Sequence, residues 1–218
     1  MTTSSSSQGN SHTAFGGQLR AWRQQRRRTQ LDLALDADPS LAAARDVVET
    51  ILRGHAPNPA LAVDRYWHMV SSNNAIAPLL GGVQDPSLLA PPVNVLRLSL
   101  HPRGLAPQIA NLPQWRAHLL SRLRHRVQTS ADPKLAALLE ELTALAPGAA
   151  PEAPGSAATT ESFAVPLELE TPVGRLSFIS TTTVFGTPTE VALSELAIEA
   201  LYPSNDITAA RLRQILAM

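Results

Sequence analysis

Five arginines, Arg20, Arg23, Arg26, Arg27 and Arg28, precede the first acid of the chain, Asp32. Guanidinium groups at this density suit contact with a phosphate backbone, which is electrostatic and weakens as salt rises. The patch is local, because 18 Lys and Arg balance 18 Asp and Glu and the formal net charge is +0. His118 and His125 stand at i and i+7, on one face of a helix if one forms there. A metal site needs further ligands, and none is near them in sequence, so no metal is expected. His55, His68 and His101 are isolated. Ser180, Thr181, Thr182 and Thr183 offer hydroxyls without a glycine elbow or triad order, and a β-branched strand explains them better. The chain has no cysteine, which removes disulfides, thiolate catalysis and zinc–thiolate sites. It carries no phosphate-binding loop, dinucleotide fingerprint or paired-carboxylate motif. No catalytic residue and no cofactor is therefore expected.

A bound ligand, if the chain takes one, would be lined by its large apolar side chains. The candidate ligand contacts are the large groups on strand and helix faces: Trp67, Met69, Leu96, Leu100, Trp115, Leu119, Phe178 and Phe185. Arg97 is the one charge inside the apolar run VNVLRLSL. Pointing inward, it would pair with a carboxylate head group; pointing outward, it is a wet face.

These residues need elements to hold them. Residues 39–53 form a helix, with Asp38 as N-cap, Pro39 at its first position and Leu41, Ala44, Val48, Ile51 and Leu52 as its apolar stripe. Gly54 is expected to stop it. LAVDRYWHMVSSNN reads as a β-hairpin, with Leu61-Ala62-Val63 as one strand, Asp64-Arg65 turning, and Tyr66 to Val70 as the other. Asn73 or Asn74 then caps a short helix, AIAPLL, before Gly81-Gly82. Val93 to Leu100 is ambiguous: it alternates like a strand, yet Asn94 would cap a helix. Leu112 to Gln128 is a helix burying Trp115, Leu119, Leu120, Leu123 and Val127, with Arg116, Arg122, Arg124 and Arg126 wet. Lys134 to Leu145 is a second helix after Asp132-Pro133.

The Pro/Ala/Gly-rich stretch around 147–161 reads as a flexible loop. Phe163 to Glu170 is a strand, Thr171 to Gly174 a turn and Arg175 to Phe185 a long strand. Gly186-Thr187-Pro188 turns the chain, Val191 to Tyr202 is the third strand, and Ile207 to Met218 a closing helix. Added to the early hairpin, these strands give a five-stranded antiparallel sheet in an α+β fold. Its helices are expected over one face, with a pocket between the layers.

N-terminal to this, residues 1–14 read as a disordered tail. Residues 15–38 open as an amphipathic helix on Phe15, Leu19 and Trp22. Thr29 then begins a shorter one carrying Leu31, Ala34 and Leu35. This resembles the start of an Xre-type helix-turn-helix. Arg20, Arg28 and Gln30 fall where that motif touches phosphates. No run is long and apolar enough to span a bilayer, and the N-terminus has no apolar signal core. A cytoplasmic protein is expected.

Four blocks, ALAVDRYWHMVSSNNAIAPLL, PPVNVLRLSLHPRGL, NLPQWRAHLLSRLR and LSFISTTTVFGTPTEVALSELAIEALYP, resemble the ligand-binding domain of MmyB-like transcription regulators. The resemblance runs from about Pro39 to the C-terminus. It implies a PAS-like sensor over 39–218 in a bacterial transcription factor, a small apolar ligand such as a fatty acid, DNA as a partner and, by default, a homodimer. The chain departs from the family pattern where Asp38 meets Pro39 directly. The turn and recognition helix expected there are missing, and that helix is the one that reads base edges. The alternative reading is a stand-alone ligand-binding or dimerisation module, or decoy, without sequence-specific DNA binding.

Overall fold

The computed structural model describes residues 39–145, 165–185 and 196–217. The expected tail, the partial helix-turn-helix with Arg20, Arg28 and Gln30, the 147–161 loop and the Gly186-Thr187-Pro188 turn lie outside the described residues.

Helix α1 (Pro39–Gly54) leads into strand β1 (Ala60–Val63), which pairs antiparallel with β2 (Met69–Ser72). Two 3-10 turns, Ala77–Leu80 and Pro86–Leu89, precede α2 (Val95–Leu100), and a third, Ala106–Gln108, follows it. The long α3 (Leu112–Ser130) and α4 (Pro133–Ala144) then form a helical hairpin. The chain returns through β3 (Leu167–Leu169), β4 (Leu176–Val184) and β5 (Ala197–Pro203) and closes with α5 (Asp206–Leu216). The five strands lie in the order β2-β1-β5-β4-β3, every neighbouring pair antiparallel. The α+β architecture read from the sequence is the one found.

The ambiguous run Val93 to Leu100 is helical because Asn94 caps it, its side chain accepting from the Leu96 and Arg97 amides. Asp132 caps α4 in the same way through the Lys134 amide. The short helix expected at AIAPLL is the 3-10 turn Ala77–Leu80, whose N-cap, Ile76, makes no side-chain hydrogen bond, so Asn73 does not cap it and acts instead as a tie. Its Oδ1 accepts from the Ala60 and Ala75 amides, and its Nδ2 donates to the Leu52 and Asn58 carbonyls. One side chain thus ties the end of α1, the start of β1 and the turn after β2.

The register divides the sheet residues by face, since side chains alternate along each strand. Val48 and Leu52 of α1 pack against Ala60, Ala62, Ile198 and Ala200 on the outer face. The expectation of helices over one face only is therefore corrected. The alanines on β1 and β5 let α1 approach the opposite face. On the inner face Val63, Leu167, Leu169, Leu176 and Phe178 meet Leu96 and Leu100 of α2, Trp115, Leu119 and Leu123 of α3, Leu135, Leu138 and Leu142 of α4, and Leu212 and Ile215 of α5.

Three boundaries differ for identifiable reasons. Tyr66 and Trp67 belong to the hairpin turn, so β2 begins at Met69. The cause is Asp64, whose Oδ1 accepts from both the Tyr66 and His68 amides and holds the turn open for two more residues. The strand expected from Phe163 begins at Leu167, after Pro166, which has no N–H to give the ladder. Gly54 ends α1 without a left-handed conformation; Gly174 has one, with φ 99°, in the Thr171 turn.

Candidate ligand-binding site

The inner face is apolar where β3 and β4 begin and polar where β4 and β5 run on. Leu176 and Phe178 are buried, and the next inner-face residues of β4 are Ser180 and Thr182. Thr182 lies opposite Glu199 of β5, and Glu199 lies opposite Leu61 of β1, so a carboxylate stands at the centre of the sheet between a threonine and a leucine.

A buried carboxylate must be paired or hydrogen-bonded. Glu199 has both. Its Oε1 accepts from Arg122 Nη2 at 2.8 Å and from Thr182 Oγ1 at 2.8 Å, and its Oε2 accepts from Ser180 Oγ at 3.3 Å. Arg122 Nη2 also donates to Thr182 Oγ1 at 2.8 Å. The Glu199 and Arg122 side chains are only 12% and 28% exposed. The guanidinium carbon sits 4.9 Å from the centroid of the Trp67 ring, a cation–π contact. One turn back on α3, His118 stacks against Trp115 with ring centroids 5.5 Å apart. Burial, and then the Arg122 charge, push the His118 pKa below its ordinary value, with Glu199 opposing, so at neutral pH the imidazole is uncharged.

Trp67 carries backbone strain at this point. Its φ is 66°, a conformation rare for a bulky residue and costing roughly 1–3 kcal/mol. The surroundings hold it there. The Trp67 amide donates to the Asp64 carbonyl, its own carbonyl accepts from the Val95 amide, and Asn94 Nδ2 donates to the Tyr66 carbonyl. The hairpin turn and the start of α2 together press the indole onto Arg122.

The structure brings six of the sequence-predicted contacts into one core: Trp67, Leu96, Leu100, Trp115, Leu119 and Phe178. Met69 packs in a neighbouring cluster with Ile76, Leu80, Val93 and Leu98. Phe185 packs with the α1 cluster on the outer face, because the strand alternation puts it opposite to Phe178 and Ser180. Arg97 does not turn inward. Its Nε and Nη2 donate to both carboxylate oxygens of Glu141, each at 2.6 Å, on the exposed side of α2 and α4. The wet-face reading of Arg97 is the one observed.

Sequence reasoning passed over Arg122, Glu199, His118, Ser180 and Thr182 as members of a site. One signal was available: Glu199 is an acid within a strand-forming run, AIEALYP, where an exposed edge is not the only explanation. Arg116, read as wet, is also corrected. It is 8% exposed, and its Nη2 donates to the Leu142 and Thr143 carbonyls at the end of α4. Among the described residues no three His, Asp or Glu side chains gather to hold a metal, and no helix is long and apolar enough to cross a membrane.

An antiparallel sheet in the order 2-1-5-4-3, with a helical insert after β2 lying over its inner face, makes this an α+β domain of a kind consistent with ligand binding. The chain belongs to the family of the MmyB-like transcription regulator ligand binding domain, whose model matches residues 44–215. No curated protein matches the chain.

Proposed function

We propose that this chain is the sensing part of a transcription regulator, binding a small apolar molecule of fatty-acid type between the inner face of the sheet and α3. Membership of a ligand-binding family over residues 44–215 carries the reading. The inner layer supports it: aromatic and aliphatic groups lead to one charged, hydrogen-bonded cluster, the polarity profile of an acyl chain with a polar end. The role is binding, not turnover. Occupancy shifts a homodimer between two DNA affinities, because a ligand that prefers one state must favour that state's partners. Such a protein acts in the cytoplasm.

Trp67 and Trp115 both line the layer, so intrinsic fluorescence reports occupancy directly. Titration with saturated fatty acids of increasing length is expected to give a saturable change whose affinity rises with chain length; a flat response at every length would sink the ligand reading. Anisotropy of labelled promoter DNA against scrambled DNA, at two salt concentrations and with and without fatty acid, tests the regulatory half. Promoter-selective, ligand-dependent binding is expected of a regulator. Equal and salt-erased binding to both DNAs favours the second reading, a stand-alone ligand-binding or dimerisation module. The observation behind that alternative is that Asp38 joins directly to the start of α1.

A further inference from the structure

We propose that Arg122 reads an acidic head group, by exchanging Glu199 for the ligand's carboxylate; this rests on the sensor reading above. The argument starts from how Arg122 spends its donors. Both contacts to protein oxygens, Thr182 Oγ1 and Glu199 Oε1, come from Nη2. Among the described residues Nε and Nη1 donate to nothing. Arg97 makes a useful contrast, because its Nε and Nη2 close a complete two-point fork on Glu141.

A guanidinium grips a carboxylate by two parallel N–H groups, and either edge that allows this includes one terminal nitrogen beside Nε or beside its twin. In Arg122 each such edge includes Nη2, which already serves Thr182 and Glu199. A second carboxylate therefore gains the two-point geometry only when Glu199 lets go. Release leaves Glu199 provided for, since the Thr182 and Ser180 hydroxyls both reach it. Trp67 keeps the guanidinium plane in place during the exchange. The cluster also sits at the margin of the layer. Thr182 is exposed and Val184, two residues further along the same face, is 67% exposed, so a head group reaches Arg122 while an acyl chain lies among the aromatics. Arg122 thereby sets a preference for the acid over the matching alcohol or ester.

The test uses the full chain, dodecanoic acid, dodecanol and methyl dodecanoate, with binding read by tryptophan fluorescence and by calorimetry. Wild type is expected to prefer the acid by about tenfold. Arg122→Gln is expected to lose that preference while holding the alcohol within about twofold, and Arg122→Lys to keep part of it. Glu199→Gln is expected to bind the acid several-fold more tightly, because the internal competitor has lost its charge. Arg124→Gln, exposed on the same helix, is expected to match wild type. Circular dichroism checks that each variant is folded. Equal binding of acid, alcohol and ester by wild type, or an acid preference that survives Arg122→Gln, would overturn the head-group assignment and leave the sensor reading standing. Absence of binding by all three compounds, in wild type and in Glu199→Gln alike, would overturn both.

Discussion

Replacing Arg116 by Met removes a buried charge while keeping most of the aliphatic stem that packs between α3 and α4. The guanidinium donates to the Leu142 and Thr143 carbonyls, which belong to the last turn of α4 and have no helical partner among the described residues. Thr143 is exposed, so water takes over at its carbonyl. Leu142 is fully buried, so its carbonyl is stranded at a cost of about 1–3 kcal/mol. Loss of a cation at a helix C-terminus adds about 0.3–1 kcal/mol. Burial holds the Arg116 pKa below its usual value, the sign of a desolvation cost that the variant escapes and that trims the total. The expected loss is about 2 kcal/mol, which for a chain of this size lowers Tm by roughly 4–8 °C. Urea unfolding followed by tryptophan fluorescence measures it, with an unchanged m-value expected. Arg124→Met, on the exposed face of the same helix, is the control and should stay within about 0.5 kcal/mol of wild type. Equal stability of the two variants would refute the reasoning, because it would mean that the Leu142 carbonyl needs no protein donor.

Asn73→Ala strands the Ala60 and Ala75 amides and the Asn58 carbonyl, while the Leu52 carbonyl keeps the His55 amide, and should cost about 2–4 kcal/mol by the same denaturation assay. His118, held neutral chiefly by burial and then by Arg122, gives stability a definite sign with pH. Above about pH 6.5 the imidazole is uncharged in both states and its contribution is constant. Below that the unfolded chain takes up the proton first, so stability falls as pH drops towards the lowered folded pKa and then levels. His118→Gln should flatten that step in a difference curve of wild type against variant. Arg97→Ala breaks a half-exposed surface pair and should change stability by less than about 1 kcal/mol and fatty-acid affinity not at all.

Most of the fold was legible because its signals are local. Pro39, Asp132 and the Thr171 to Gly174 turn mark element ends by short-range hydrogen bonding or fixed backbone angles, and each falls where it was read, while the Asn94 cap decides a run that read equally as strand or helix. The apolar periodicity of α3 likewise gave Trp115, Leu119 and Leu123 as its buried face. The misread arginines concern long-range partners. Arg97, Arg116 and Arg122 look alike in sequence, yet one lies on the surface with Glu141, one closes the end of α4 and one enters the sheet. What separates them is the partner supplied by α4 or β5, 44, 26 and 77 residues away respectively.

Element order, the absence of thiol chemistry and the resemblance that leads to a ligand-binding domain are all readable from the chain before it folds. These follow from composition and from interactions within a few residues. The face of the sheet that α1 covers, the left-handed backbone of Trp67 and the gathering of Glu199, Thr182, Ser180, Arg122 and His118 into one cluster emerge only in the folded chain. Strand order and register place residues far apart in the chain on the same face, and a charge is tolerated at the centre of a sheet only where that placement also brings it a partner.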